Sequence, residues 1–169
     1  MSVKMLTRAA LLLALTLVFQ SMRFVIPVTP FASTFVIGSL VNSCLLLAVE
    51  TSGLLSAVSI SIVAPIVAYV QGLLPIPVLV LPIACANILL VTVYAVLKAR
   101  RWTALICAAT VKTCFLYLGL LLLLDFVDLP QKLTANLLFV MSWPQFVTAV
   151  IGGILATMVI NRLLAFHKT

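Results

Sequence analysis

The chain has 169 residues, of which 65% are hydrophobic and 8% charged, and a net charge of +7; its mean hydropathy is +1.38. So little polar surface cannot clothe a soluble globule of this size, and the composition specifies an integral membrane protein. Nucleic-acid binding is excluded as the meaning of the positive charge, because the basic residues stand singly or in short clusters between apolar runs, where they orient helices in a bilayer.

A hydrocarbon layer about 30 Å thick needs about 20 apolar residues per helix. The sequence divides into six such segments, 5–22, 34–49, 53–72, 78–97, 102–124 and 137–164. The predicted architecture is an all-α integral membrane protein, a bundle of six transmembrane helices forming one domain over 1–169. Connections are short and leave no room for a soluble domain. The last segment exceeds the length of one span, so it is expected to tilt or emerge from the membrane. Pro27, Pro30, Pro75, Pro77 and Pro130 mark turns, whereas Pro65, Pro82 and Pro144 fall inside segments and are expected to kink them. No internal repeat is visible.

In the first segment Ala10 and Ala14 form A-x-x-x-A, and with Thr7 and Ser21 they make a stripe of small residues at helical spacing. Small residues four apart let two helix backbones approach closely in lipid, either inside one bundle or between two proteins. Lys4 and Arg8 followed by an apolar run have the outline of a signal peptide, but no A-x-A-like site follows, so the segment is expected to remain. Gln20 and Arg23 close it. The stretch from Phe24 to Ser33 then carries two prolines, which suits a stiff loop. Asn42 lies within the second segment and Glu50 at its inner turn, Gln71 ends the third, and Asn87 lies within the fourth.

The fifth segment holds the residue that most needs explaining. Lys112 is the only charge between Trp102 and Leu124, roughly 15 Å from one end and 18 Å from the other at helical rise. That is too deep for free snorkelling, and a lysine at a helix centre costs about 2.5 to 3.5 kcal/mol on insertion scales. Ala108, Ala109, Phe115, Leu116 and Gly119 share its helical face, so it is expected to face the bundle interior. No acid occurs inside any predicted span, and Asp125 is roughly 20 Å further along the helix axis. Two states fit: a neutral amine held by burial, or an ammonium that awaits an anionic ligand. Tyr117 stands on the same segment, and Trp143 and Gln145 open the last one within S-W-P-Q at Ser142–Gln145. These residues, with Lys112, Arg23, Gln20 and Asn87, are the candidate substrate-binding set. Any one of the amides also suits helix–helix hydrogen bonding.

Orientation follows from charge. With a cytoplasmic N-terminus, Lys4, Arg8, Lys98, Arg100, Arg101, Arg162 and Lys168 all lie inside, and only Arg23 and Lys132 lie outside. Both termini are therefore expected in the cytoplasm. Cys44, Cys85, Cys107 and Cys114 lack C-x-x-C spacing and suit small apolar packing, so no metal site is expected. The single histidine, His167, lies in the C-terminal tail. Without an intramembrane histidine or acid, the usual membrane protease and metal-hydrolase motifs cannot be built. The chain is not expected to be an enzyme.

With its size, six predicted helices, internal termini, alanine stripe and S-W-P-Q segment, the full length of the chain resembles the substrate-binding S component of an energy-coupling factor (ECF) transporter, an ABC-type importer for vitamins. The resemblance implies that Ala10 and Ala14 dock on a transmembrane T component, with Val18 where some members carry a third alanine. It implies two cytosolic ATPases as further partners, which would hold ATP and magnesium; this sequence has no G-x-x-x-x-G-K-[ST]. It implies a location in the plasma membrane of a prokaryotic cell. It also implies a ligand held in the outer half of the bundle beneath the loop between the first two helices. The unmatched Lys112 points to a small anionic metabolite, with Arg23 near the mouth and Trp143 and Tyr117 as an apolar wall with polar tips. Biotin, lipoate, pantothenate and niacin are the family's vitamins that suit an anion site. Two rivals remain at this level: an accessory or assembly subunit of another membrane complex, and a homodimeric secondary carrier. The second is disfavoured by the lack of an intramembrane acid to couple ions.

Overall fold

The computed structural model describes residues 3–25 and 30–166. Seven α-helices run through them: α1 (Val3–Val25), α2 (Pro30–Ser52), α3 (Leu54–Val70), α4 (Val80–Leu97), α5 (Arg101–Leu124), α6 (Gln131–Val140) and α7 (Trp143–Phe166). Two single 3₁₀ turns, Pro77–Leu79 and Lys98–Arg100, precede α4 and α5, and no strand occurs among the described residues. Four helical stretches, Val3–Val25, Ala32–Ser52, Pro77–Leu124 and Gln131–Ala165, are long and apolar enough to cross a membrane, and α3 is a shorter apolar helix. Such an all-helical, apolar architecture suits a bilayer, because each helix satisfies its own backbone hydrogen bonds.

The centre of the bundle is α2, which packs along α7 and against α1 and α3, while α4 packs along α5 and α3, and α5 also touches α7. Residues 42–49 of α2 are all buried, with Leu45 and Leu46 wholly so. A helix that is apolar all round belongs in the middle. By contrast, α1 buries only Thr16 and presents Leu6, Leu11 and Val18 outward.

Local chemistry sets the element ends. Gly53 links α2 to α3 at φ 86°, a left-handed conformation that glycine adopts without a Cβ penalty. Gly72, at φ 74°, closes α3 in a Schellman motif: its N–H donates to the Tyr69 carbonyl at 2.8 Å, and the Leu73 N–H donates to the Ala68 carbonyl at 2.9 Å.

The predicted last segment, 137–164, is not one helix. The chain breaks at Met141–Ser142, giving the short α6 and the long α7. Pro144 explains the break, since it sits in the first turn of α7, where its missing N–H costs no helical hydrogen bond. The carbonyls freed at the end of α6 are capped by side chains: Ser142 Oγ donates to Phe139 O at 2.7 Å and Gln145 Nε2 to Val140 O at 3.1 Å. Pro82 likewise stands in the first turn of α4, so of the three expected kink sites only Pro65 is interior to a helix. Glu50, expected in a turn, lies within α2, where its Oε1 accepts from the Tyr94 hydroxyl at 3.0 Å. Pro27, His167 and Lys168, together with the middle of the expected lid loop, lie outside the described residues.

Candidate functional site

Lys112 is 4% exposed. Its α5 neighbours Ala104, Ala108, Ala109 and Leu116 are buried with it, but Phe115, expected on the same face, points outward. The small residues let α4 pack along α5, and two amides, one from α4 and one from α2, meet the lysine there. Nζ donates to Asn42 Oδ1 at 2.6 Å and to Asn87 Oδ1 at 2.8 Å. The first is slightly shorter than, and the second within, the usual range for charge-assisted N–H···O contacts, about 2.7–2.9 Å.

The network behind Asn42 fixes which way its amide faces. Thr148 Oγ1 donates to the Gln145 carbonyl at 3.1 Å, so its oxygen is free to accept from Asn42 Nδ2 at 3.3 Å. With Nδ2 engaged there, Oδ1 must point at the lysine. Close approach of α2 and α7 makes this contact. A Cβ on Gly152 would lie 2.7 Å from Asn42 Cβ and from Ser39 O, and one on Gly38 would lie 3.1 Å from Thr148 Cγ2.

Among the described residues no carboxylate reaches Nζ; its two partners are neutral. Glu50, the acid nearest in sequence to the site's α2 residues, is eight residues beyond Asn42, roughly 12 Å along the helix axis, and is engaged by Tyr94.

A cavity of about 170 Å³ lies against the lysine. Gln20, Arg23, Asn42, Asn87, Lys112 and Gln145 supply its polar lining, and Ile37, Val41, Pro65, Leu74, Ile83 and Met141 are among its aliphatic walls. Gln20 Nε2 donates to the Ala64 carbonyl at 3.2 Å, while its Oε1 is buried with no hydrogen-bond partner. A second, wider cavity of about 790 Å³ shares Arg23, Leu73, Leu74, Val140 and Met141 with the first, so a vestibule adjoins the chamber at Arg23.

Five of the seven predicted binding residues, Lys112, Arg23, Gln20, Asn87 and Gln145, therefore line one chamber. Tyr117 and Trp143 do not join it. They are 39% and 51% exposed and border a separate outer groove with Cys114 and Phe146, where Trp143 stacks edge-on against Phe139 with ring centroids 5.9 Å apart. The residues missed as a set were Asn42 and Thr148. Ser39, Asn42 and Ser43, at i, i+3 and i+4 in an otherwise apolar helix, carried a legible signal for the first of them.

Ala10 and Ala14 lie on the outward face of α1, far less covered than Thr16 on the opposite face. No group of three or more potential metal ligands occurs among the described residues. Comparison with known proteins finds no matching family model, no matching curated protein and no matching solved structure.

Proposed function

We propose that this chain is the substrate-binding S component of an ECF-type importer, a multi-pass protein of a prokaryotic plasma membrane with six crossings and both ends in the cytoplasm. In this reading α1, α2, α3, α4, α5 and α7 cross the bilayer, and α6 lies in the outer layer. The protein captures a small anionic metabolite from outside and releases it inward after docking on a T component served by two ATPases. It catalyses nothing itself.

The observation that carries the reading is a buried lysine with two neutral acceptors, no acid and an adjoining chamber. Removing a cation from water without a counter-charge is costly. An anion that enters the chamber relieves that cost, and this is a direct source of affinity. The outward alanines of α1 support the second half of the reading, because a small-residue face directed away from its own bundle can receive a partner helix.

Affinity purification of the tagged chain from its native membrane, followed by mass spectrometry, tests the assignment. The expected result is a T-type membrane protein, two ATPases and a released anionic metabolite. A different membrane assembly with no small molecule would overturn it in favour of an accessory subunit. In the purified protein, Lys112→Met is expected to abolish binding of that released metabolite; unchanged affinity would remove Lys112 from the site. Ala14→Trp is expected to leave binding intact and stop uptake, and equal loss of both would mean that the stripe serves internal packing.

A further inference from the structure

The hydrogen-bond inventory of the chamber constrains the ligand more closely than charge alone. An ammonium has three N–H groups, and two of those on Lys112 are taken by Asn42 and Asn87. The third is left for the chamber that Lys112 lines. Asn87 accepts through Oδ1, and its Nδ2 has no partner among the described residues and is not one of the occluded unpaired atoms. Two adjacent donors, one charged and one neutral, therefore face the same space, as the two oxygens of a carboxylate require. Arg23, also in the lining, disfavours a cationic donor near it. The walls named above are aliphatic. A cavity of about 150 Å³ accommodates a benzene, so this chamber, at about 170 Å³, holds about seven non-hydrogen atoms by the same measure.

We propose that the chamber binds a small aliphatic monocarboxylate. Its carboxylate bridges Lys112 Nζ and Asn87 Nδ2, and its hydrocarbon chain lies against the aliphatic walls. This rests on the chain being a ligand-capturing subunit, and it adds the ligand's chemical class and the roles of Lys112 and Asn87.

The test uses detergent-purified, extensively dialysed protein and three probes: 5-hydroxypentanoate, pentanoate and pentane-1,5-diol. Isothermal titration and thermal melting are expected to show both acids binding, with the diol at least tenfold weaker than either. Asn87→Asp is the decisive variant, because it changes almost no volume while supplying an internal carboxylate to Lys112. It is expected to melt no lower than wild type and to lose at least tenfold in affinity for 5-hydroxypentanoate. Binding of the diol as tight as that of the acids, undiminished binding by Asn87→Asp, or no response to any probe would each overturn the proposal. If the probes fail on a chain that still co-purifies with ATPases, the ligand class falls and the importer reading stands. Binding of the hydroxy acid by a chain that recruits no ATPase would leave the site standing and remove the importer reading.

Discussion

Asn42 does two jobs with one amide, accepting from Lys112 and donating to Thr148. Each bond makes the other directional, so loss of either partner leaves a buried polar group unmatched. Hydrogen bonds to charged groups contribute about 1.5–3 kcal/mol. Asn42→Leu is therefore expected to destabilise the protein by roughly that amount, read as a lower melting temperature in detergent. Adding Lys112→Met to Asn42→Leu should recover part of the loss, because the uncompensated cation goes with it. A double-mutant cycle on the pair is expected to show coupling of about 0.5–3 kcal/mol; simple additivity would mean that the 2.6 Å bond has no net worth. The depth of Lys112 was legible from its position in an apolar run. Its partners were not, because asparagines in different helices are related only by packing.

At the scale of the element, glycines in α7 decide how near α2 and α5 come. A Cβ at Gly152 would meet the Ser39 carbonyl at 2.7 Å and the Ser43 nitrogen at 2.9 Å, both backbone atoms that cannot turn away. At Gly153 the nearest obstacle is the Leu105 side chain, whose Cγ would lie 2.9 Å away and which is itself buried in the core. Gly152→Ala is thus expected to cost about 1–3 kcal/mol, the usual range for overpacking, and to weaken ligand binding by shifting Asn42. Gly153→Ala is expected to cost a similar amount in stability, because the buried Leu105 has little room to move, but to leave binding nearly unchanged, since Leu105 does not line the chamber; titration of 5-hydroxypentanoate separates the two. Gly72 has open space around its missing Cβ, so Gly72→Ala isolates the penalty of a positive φ, about 1 kcal/mol. The apolar segments were read closely from the sequence, since length and hydropathy are local properties. The break at Met141–Ser142 was not, because a proline in a long apolar run suits both a kinked helix and a new first turn. Capping by Ser142 and Gln145 resolves it as the latter.

Across the whole molecule, the tightly buried α2 and the largely uncovered α1 divide the labour. One supplies the core and a wall of the chamber, and the other leaves its small residues outward. Composition alone determined a helical membrane protein, because no arrangement of so few polar residues can solvate 169 in water. It also determined that Lys112 needs an explanation, since the cost of a deep cation depends only on its distance from the ends of its segment. Which groups answer that cation was decided by tertiary structure. The packing of α2, α4 and α5 brings Asn42 and Asn87 to Nζ while sending Tyr117 and Trp143 to an outer groove. The reason is geometric: hydropathy fixes how deep a side chain sits, whereas the rotation of each helix about its axis fixes what it faces, and that rotation is set by the side chains and glycines of its neighbours.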